Sequence, residues 1–305
     1  MEKNKKTLVT GGNGLVGSCF NQSYKKVSSK DCDLTSFEST KKLFQKEKPN
    51  VVIHTAARVG GLGSNMADKS GYFFDNIRIN NNVINNSLTH NVDKLVCFLT
   101  TCIFPNDVQY PLKPEYLHDG PPHESNYGYA YAKRMGEIYI RTINEQYNKK
   151  YFSVVPTNIF GPNDNFSLVH GHVVPALIHK MYIAQKESLD FTVWGSGKPL
   201  REFVLSRDVA KIVESLIDKY EETDPVIISS SEEISIADLV EMLVDIFNFK
   251  GKVVFDKDKP DGQFRKPTDN SKLKELLPDF KFTPVRQALE ETVEWFINNY
   301  EICRK

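Results

Sequence analysis

The sequence has little of three features that assign a protein to a class quickly: net charge, paired cysteines and long apolar runs. Its 39 basic residues are balanced by 39 acidic residues, so the formal net charge at pH 7 is +0. This balance excludes the overall electrostatic field that attracts nucleic acid or an anionic membrane. An anionic ligand must therefore be held by a local site.

Cysteine is scarce, and its positions form no pattern. The chain has five cysteines, an odd number, and none of them stand at the paired spacing of a metal site. Free thiols are therefore predicted, with no disulfide framework and no metal, and one or two of them at most are expected to take part in chemistry. The five positions are Cys19, Cys32, Cys97, Cys102 and Cys303.

Long apolar runs are also missing. The first residues, MEKNKKTLVTGG, lack the apolar segment of a secretion signal, and no later run approaches the length of a membrane span. The sequence therefore predicts a soluble protein of the cytoplasm. With 305 residues, of which 40% are hydrophobic, the chain is long enough for one large domain and a smaller one.

Short apolar runs alternate with amphipathic segments through the first half of the chain. The runs KTLVT, NVVIH, KLVCFLT and YFSVVPTNIF are typical of buried strands, and the segments between them have the pattern of helices. This alternation predicts an α/β fold with a doubly wound parallel sheet of the Rossmann type. Further helices are predicted at 207–221, 235–247 and 284–300, and two short strands around a glycine turn in FTVWGSGKPLREFVLS.

A second, smaller α/β domain for the substrate is predicted because the rhythm loosens after Pro162. Insertions that return to the first domain are expected to build it, since no low-complexity linker separates the two parts. The predicted NADP-binding Rossmann domain comprises residues 1–162 and about 202–228. The predicted substrate domain comprises about 163–201 and 229–305.

A glycine-rich turn, VTGGNGLVG, follows the first predicted strand, and a helix through Leu15, Val16 and Phe20 is expected after it. Glycines here let the backbone approach a pyrophosphate, and a helix N-terminus offers free N–H groups. A tight strand-to-helix connection is the alternative, but the position at the first such junction favours dinucleotide binding. The predicted cofactor-binding residues are Gly11, Gly12, Asn13, Gly14, Leu15, Val16 and Gly17.

The end of the next predicted strand bears on which dinucleotide binds. An NAD enzyme usually carries an acidic residue there, which binds the ribose 2′-hydroxyl. In this chain Ser28, Ser29 and Lys30 occupy that place. Hydroxyl and ammonium groups suit the 2′-phosphate of NADP(H), so Ser29 and Lys30 are predicted to bind it. A solvated turn without a ligand is the alternative. Because Asp31 and Asp33 are nearby, NAD also stays an alternative cofactor.

Three tyrosines stand at alternate positions in SNYGYAYAKRMGE, residues 125–137. Tyr129 and Lys133 are four positions apart, so on a helix they share one face. A phenol has a pKa of about 10, and the neighbouring cation is expected to lower it toward the range of acid–base catalysis. Tyr127 and Tyr131 have no such lysine, so Tyr129 is the acid–base candidate. By itself such a tyrosine–lysine pair is usually structural. Downstream of the glycine-rich turn, it becomes a specific indication of a catalytic pair.

Hydroxyl side chains end a further predicted strand in FLTTCIFPND, where Thr100 and Thr101 precede Cys102. The ends of parallel strands face the ligand crevice, and a hydroxyl there can bind a substrate carbonyl. Threonine is also a good strand residue, which is the alternative explanation. Which of the two threonines points inward is left open by the sequence.

The glycine-rich turn, the threonine pair, Tyr129 with Lys133, and PTNIFGP together resemble the extended short-chain dehydrogenase/reductase family. The likeness extends over nearly the entire chain through HTAARVGGLGSN, TCIFP, NYGYAYAKRM, PTNIFGPNDNF, HGHVVPALIHK and VWGSGKPLREF. The resemblance implies a homodimeric, NADP-dependent enzyme. Its implied substrate is GDP-4-keto-6-deoxy-D-mannose, epimerised at C3 and C5 and then reduced at C4. Another nucleotide-sugar epimerase, dehydratase or reductase is one alternative, and a non-catalytic NADP-sensing scaffold is another.

The resemblance also implies catalytic roles. Tyr129, Lys133 and Thr100 would stabilise the enolate oxygen that forms when a proton beside the C4 ketone is removed. Cys102 and His172 would act as the epimerase pair, because thiol and imidazole groups exchange protons near neutral pH. Without the resemblance, a buried apolar residue would be the favoured interpretation of Cys102, and a helix cap or core residue that of His172.

Further cofactor contacts and one departure follow from the same resemblance. The family generally has serine where Thr100 stands, so the hydroxyl role is expected to survive with altered geometry, because threonine is stiffer. The remaining implied cofactor contacts are Leu99, Pro156, Thr157, Asn158 and Ile159, together with the catalytic candidates Thr100, Tyr129 and Lys133.

The GDP-sugar is implied to lie against four residues. Arginine can bind phosphate oxygens through two N–H groups, lysine acts as a point charge, and tryptophan can cover a ring. Arg201, between two predicted strands, is the strongest diphosphate candidate. Core packing is the alternative for Trp194, and a solvated helix face for Lys180. The implied substrate-binding residues are Lys180, Trp194, Arg201 and Asp261.

Overall fold

The computed structural model describes residues 5–259 and 261–305 of the chain. Its strands are β1 (Thr7–Thr10), β2 (Lys25–Val27), β3 (Val51–His54), β4 (Lys94–Phe98), β5 (Phe152–Pro156), β6 (Asn158–Phe160), β7 (Phe191–Trp194), β8 (Leu200–Leu205), β9 (Val226–Ile228), β10 (Glu233–Ser235) and β11 (Val253–Asp256). Its α-helices are α1 (Phe37–Glu47), α2 (Leu62–Ala67), α3 (Lys69–Thr89), α4 (Tyr127–Tyr147), α5 (Val173–Glu187), α6 (Ser206–Lys219), α7 (Ile236–Phe247), α8 (Ser271–Leu276) and α9 (Val285–Asn298). No helix in these two ranges combines the length and the apolar character that a membrane span requires.

Six parallel strands form the central sheet, in the order β2-β1-β3-β4-β5-β9. These strands are the short apolar runs of the sequence, and every residue of β1 and β3 is buried. A sheet buried on both faces needs helices on both sides, as parallel sheets have. The strand order reverses between β1 and β3, which opens a crevice at their carboxyl ends. The predicted doubly wound α/β fold is confirmed.

The two faces of the central sheet pack against different helices. Leu8 of β1 and Val52 of β3 pack with side chains of α3 and α4. Their neighbours Val9 and Ile53 pack on the other face with side chains of α6. Successive strand residues point to opposite faces, so one continuous apolar run serves both clusters. The helices predicted at 207–221, 235–247 and 284–300 are α6, α7 and α9.

Two smaller sheets lie outside the central one. β8 pairs with both β6 and β10, and β7 pairs in parallel with β11, so the two strands predicted around the glycine turn belong to different sheets. Side chains of α5, α7 and α9 pack with these strands in a separate apolar cluster that includes Phe203. Leu273 of α8 instead packs with the central sheet. The proposed division into two domains stays a prediction.

The glycine-rich turn does not open an α-helix, so that expectation is wrong. Only a short 3-10 turn follows, Gly17–Cys19, and Phe20 is already extended. Lys26 of β2 holds the segment in this path, because its Nζ donates to the carbonyl oxygens of Ser18 (2.9 Å) and Phe20 (2.7 Å). A longer helix would need these carbonyls for its own N–H groups. The chain instead turns back toward β2 within a few residues.

Candidate active site

A cleft of about 1870 Å³ runs along the carboxyl ends of β1 to β5 and continues to the loop between β11 and α8. The structure brings most of the predicted site residues together in its wall. They are Gly11, Asn13, Gly14, Leu15, Val16, Gly17, Ser29, Lys30, Leu99, Thr100, Cys102, Tyr129, Lys133, Pro156, Thr157, Asn158, Ile159, His172, Arg201 and Asp261. Among the described residues, the wall does not include Gly12, Lys180 and Trp194.

The glycines of the turn are required by close contacts. Gly11 has a φ of +71°, and a Cβ built on it would lie 2.7 Å from the hydroxyl oxygen of Thr55. A Cβ on Gly17 would lie 2.2 Å from the carbonyl oxygen of Gly11. Gly12 has a different use, because its Cβ would lie 2.5 Å from the Cβ of Lys26. It therefore lets the turn pack against β2 and does not face the cleft.

Three backbone N–H groups of this turn remain available for an anion. Gly12 N donates to Val27 O and Gly14 N to Gly11 O, which closes the turn. Within the described part of the chain, the N–H groups of Asn13, Leu15 and Val16 donate to no acceptor. Successive N–H groups of this kind form a concave site for phosphate oxygens. The turn therefore fits a dinucleotide diphosphate, although no long helix stands behind it.

The end of β2 presents hydroxyls and a lysine, while its carboxylates are engaged locally. The Asp31 carboxylate accepts from the N (2.8 Å) and the Oγ (2.7 Å) of Ser28, and these bonds hold its pKa below the usual value. Asp33 likewise accepts from Thr35. Lys30 is exposed in the cleft wall. Asp31 is absent from the described cleft wall, whereas Asp33 lines it together with Ser29 and Lys30, so binding of a 2′-phosphate by Lys30 stays a prediction.

Tyr129 and Lys133 of α4 both line the cleft, as their spacing predicts. The Lys133 Nζ donates to the Phe98 carbonyl at the end of β4 (2.8 Å) and lies 5.9 Å from the centroid of the Tyr129 ring. Burial lowers the pKa of Lys133 to about 8. Burial also raises the pKa of the Tyr129 phenol far above its ordinary value. The expectation of a lowered pKa is wrong, because desolvation by burial is the largest cause of the shift and Lys133 is not among the groups that act on it.

The other two tyrosines of this segment lie elsewhere on α4. Tyr127 and Tyr131 pack edge to face with ring centroids 4.7 Å apart, and Arg134 lies 5.4 Å from the Tyr131 ring. Neither tyrosine is among the described residues that line the cleft. Of the three, Tyr129 has the position that the acid–base role requires.

Cys102 lies in a 3-10 turn, Thr101–Ile103, directly after β4. Thr100, Thr101 and Cys102 all line the cleft, so the sheet end presents two hydroxyls and a thiol. Burial raises the pKa of the Cys102 thiol. The charge of Lys266 and a hydrogen bond with the Thr100 side chain oppose this rise. Thr100 therefore has a second contact besides the substrate oxygen that its position predicts.

His172 stands at the N-cap position of α5, but its side chain makes no capping hydrogen bond. Its imidazole is exposed to the cleft, and the surrounding walls desolvate it enough to lower its pKa. It is therefore neither a cap nor a core residue, the two alternatives for a lone histidine here. A mostly neutral imidazole in a cleft can accept or return a proton near neutral pH.

Lys266 is a cleft residue that the sequence analysis missed. On its N-terminal side, the Nε of Arg265 donates to Glu233 (2.8 Å). On its C-terminal side, the N and Oγ1 of Thr268 donate to the buried Glu202 carboxylate (3.1 and 2.6 Å). Within the described ranges its ammonium forms no hydrogen bond or ion pair, and its charged neighbours include Cys102. Burial lowers the pKa of Lys266 to about 8. A lysine in an irregular loop gives no sequence signal, because only long-range contacts place it.

Asp164 is a second missed residue of the cleft wall. It is buried, its Oδ1 accepts from Asn165 N (2.7 Å), and its Oδ2 has no hydrogen-bond partner in the described part of the chain. Burial raises its pKa to about 7. The sequence contains a signal for Asp164, because this charged residue lies inside FGPNDNF, a segment that carries the family resemblance.

The predicted substrate residues form two groups. Arg201 of β8 lines the cleft, and its Nη1 donates to the carbonyl of Leu200 (2.7 Å). Asp261 also lines it, but its carboxylate accepts from Ser196 N (2.6 Å) and Oγ (2.8 Å) and so closes the turn after β7. A bond to substrate would have to share this carboxylate.

Lys180 and Trp194 form the second group. The Lys180 Nζ lies 4.6 Å from the Trp194 ring centroid, and the Lys259 Nζ lies 5.7 Å from it. Trp194 is 60% exposed, so core packing does not explain it. The side chain stands two residues before Ser196, which binds Asp261 of the cleft wall. Their roles in substrate binding stay predictions.

The fold and this cleft define an enzyme that uses a nicotinamide dinucleotide. The sequence profile of the NAD dependent epimerase/dehydratase family matches residues 7–229, which is more than half of the chain. The chain belongs to this family, and the resemblance to extended short-chain dehydrogenases/reductases is confirmed.

Individual relatives narrow the comparison. The chain is 50% identical to the GDP-L-fucose synthase of Dictyostelium discoideum, over 98% of this chain and 97% of that protein. It is 42% identical to the probable GDP-L-fucose synthase of Drosophila melanogaster, over 99% and 100% of the two chains. A crystal structure of a GDP-L-fucose synthetase from Naegleria fowleri bound to NADP superposes with a TM-score of 0.94 at 43% identity, covering 100% of this chain and 96% of that one.

Proposed function

We propose that this enzyme converts GDP-4-keto-6-deoxy-D-mannose to GDP-L-fucose by epimerisation at C3 and C5 and NADPH-dependent reduction at C4. The relatives named GDP-L-fucose synthase support the reaction, and the Naegleria structure supports the cofactor. The observation that carries the proposal is the presence of Cys102 and His172 in the same cleft as Tyr129 and Lys133. A simple reductase needs Tyr129 and Lys133 but does not need Cys102 and His172.

The epimerisation half of the proposal depends on the C4 ketone. Protons on C3 and C5 are acidic because their removal gives an enolate, whose oxygen can be stabilised by preorganised donors. The Tyr129 phenol stays protonated at neutral pH because burial raises its pKa, so it can donate to this oxygen together with Thr100. Cys102 removes the proton as a thiolate and His172 returns one on the opposite face. Inversion requires these two groups on different faces of the sugar.

The positive charges around Cys102 make its part of this mechanism feasible. A buried thiol resists ionisation, and a nearby ammonium favours the thiolate. Lys266 and Lys133 both act in this direction on the Cys102 thiol. Because the pKa of each lysine is lowered to about 8, both are still largely protonated at neutral pH. The positive charges of Lys266 and Lys133 also stabilise the negative charge that develops on the enolate.

The reduction half depends on the cofactor wall. NADPH, when bound, supplies a hydride to C4. Asn13, Leu15 and Val16 would hold its diphosphate through their N–H groups, and Ser29 with Lys30 its 2′-phosphate. Tyr129 then gives its proton to the C4 oxygen. Lys133, anchored on the carbonyl of β4, keeps a positive charge beside that proton transfer.

The product identifies the reaction. Purified protein is incubated with NADPH and GDP-4-keto-6-deoxy-D-mannose, and the sugar is identified by NMR. GDP-L-fucose is expected. A product reduced at C4 without inversion at C3 and C5 would show another reductase of the family, and NADPH binding without any turnover would show a non-catalytic protein. Either result would overturn the proposal.

NADPH is expected to be preferred over NADH by at least about tenfold in kcat/KM, since a charge-assisted hydrogen bond to the 2′-phosphate contributes about 1.5–3 kcal/mol. Replacing Lys30 with Glu should reverse most of this preference, because a carboxylate repels the phosphate. Lys42→Glu, at an exposed position of α1, is the matched control. Equal kcat/KM values for both cofactors in the parent enzyme would contradict the role of Lys30.

A homodimer is also proposed, through the exposed side of α3 and α4. Phe73 and Phe74 of α3 and Met135 and Ile138 of α4 are exposed large apolar side chains on two neighbouring helices. Exposed large apolar side chains on two adjacent long helices are typical of subunit contacts. Sedimentation should give a dimer for the parent chain and a monomer for Phe74→Lys combined with Ile138→Lys. Leu189→Lys, which changes an exposed residue elsewhere, should stay dimeric, and a monomeric parent would contradict the proposal.

A further inference from the structure

The segment after α9 returns to the cleft and contributes a residue to its wall. Phe166 N donates to the Arg304 carbonyl (2.8 Å), and Asn165 and Arg304 form an isolated bridge of parallel type. These contacts fix the backbone of Arg304 against the segment after β6. The Arg304 side chain is exposed and lines the cleft.

The guanidinium of Arg304 is held near the glycine-rich turn. Its Nη2 donates to the carbonyl of Asn163 (2.5 Å), and the Nδ2 of Asn163 donates to the Oγ of Ser18 (3.4 Å). Ser18 follows Gly17, which packs so closely against the Gly11 carbonyl oxygen that the turn has no room for a Cβ there. Two successive contacts therefore connect Arg304 to the turn that would carry a diphosphate.

Most of the donors of this guanidinium are uncommitted. An arginine side chain has five N–H donors, and the described contacts of Arg304 use one of them on the Asn163 carbonyl. Its charge acts on the buried Asp164, but no hydrogen bond joins the two side chains in the described part of the chain. A positive group with free donors beside three free backbone N–H groups is suited to a doubly charged anion.

We propose that Arg304 binds the cofactor diphosphate together with the glycine-rich turn. The ligand class is a dinucleotide with a central diphosphate, and the inference rests on the proposed NADP(H) dependence. The turn supplies backbone N–H groups but little charge, since the 3-10 turn behind it is only three residues long. Arg304 supplies the charge that this short turn lacks. The segment after α9 is thereby coupled to cofactor binding.

The test uses two ligands that differ in the diphosphate. NADPH contains it, whereas adenosine 2′-monophosphate keeps the adenine and the 2′-phosphate and lacks it. Calorimetry without sugar substrate should show that Arg304→Gln weakens NADPH at least about tenfold and changes the affinity for adenosine 2′-monophosphate less than twofold. The NADPH affinity of Arg304→Lys should lie between those of the parent and the glutamine variant, because the lysine ammonium keeps the charge but not the forked donors of the guanidinium. Lys305→Gln is the matched control and should bind both ligands as the parent does.

Three outcomes would overturn the inference. They are unchanged NADPH affinity in Arg304→Gln, an equal loss for both ligands, and a loss in Lys305→Gln of the same size. Thermal unfolding of Arg304→Gln monitors folding, and the expected Tm is that of the parent. Failure of the proposed function is distinguishable, since it appears as a parent protein that does not bind NADPH or does not make GDP-L-fucose from the keto sugar.

Discussion

Replacing Tyr129 with phenylalanine is expected to lower the rate of C4 reduction by about 100-fold or more, which is the usual contribution of general acid catalysis. The change deletes the phenol hydroxyl, the group proposed to protonate the C4 oxygen. NADPH affinity should change less than twofold, because the ring and the Lys133 bond to the Phe98 carbonyl are kept. Single-turnover oxidation of NADPH, followed by absorbance, measures the chemical step directly.

Two neighbouring tyrosines provide matched controls for this change. Tyr127→Phe and Tyr131→Phe remove hydroxyls from the same helix, outside the cleft wall, and should leave reduction within a few-fold of the parent. The burial of Tyr129 adds a pH test. Because its pKa is raised, the phenol stays a proton donor up to high pH, and reduction should not decline between pH 7 and 9 through ionisation of Tyr129. Comparable turnover in Tyr129→Phe would remove this residue from the mechanism.

Cys102→Ser is expected to abolish proton exchange at the carbons beside the ketone while reduction continues slowly. A serine hydroxyl ionises far less readily than a thiol, so it cannot act as the base. In deuterium oxide without NADPH, the parent enzyme should introduce deuterium at C3 and C5 of the keto sugar, and the variant should do so at least about 100-fold more slowly. With NADPH, the variant should give a C4-reduced sugar that has not been inverted.

The controls for this experiment separate the thiol from its surroundings. Cys19→Ser is the matched variant, since Cys19 is also half-buried but its thiol bonds to the Leu15 carbonyl outside the proposed chemistry. It should exchange as the parent does. His172→Asn should impair delivery of the proton to the opposite face. Undiminished exchange in both Cys102→Ser and His172→Asn would show that other residues form the epimerase pair.

Local patterns in the sequence were sufficient for the central sheet and for part of the site. Leu8 and Val9 belong to an apolar run whose burial on both faces follows from a parallel sheet. Tyr129 and Lys133 share a helix face through their four-residue spacing alone. Both kinds of information lie within a few residues of the chain, and both predictions of position hold in the structure.

The errors and omissions arise from contacts between distant segments. In place of the helix expected after the glycine-rich turn, the chain has carbonyl oxygens that accept from Lys26 on the next strand. The pKa of Tyr129 rises because the folded chain excludes water from it, which no spacing reveals. Lys266 enters the cleft only because Thr268 binds Glu202, 66 positions away.

The loop that begins at Asp261 is tied down at both ends, and this has an evolutionary consequence. At one end Asp261 binds Ser196, and at the other Thr268 is held by the buried Glu202 carboxylate, which also accepts from Ser229 (2.9 Å). The two anchors fix the path of the chain, so Gln263 and Phe264 between them can change, whereas position 262 needs glycine because its φ is +73°. Related enzymes with other sugar preferences can arise by substitutions at these two positions, while the anchors keep Lys266 in the cleft wall.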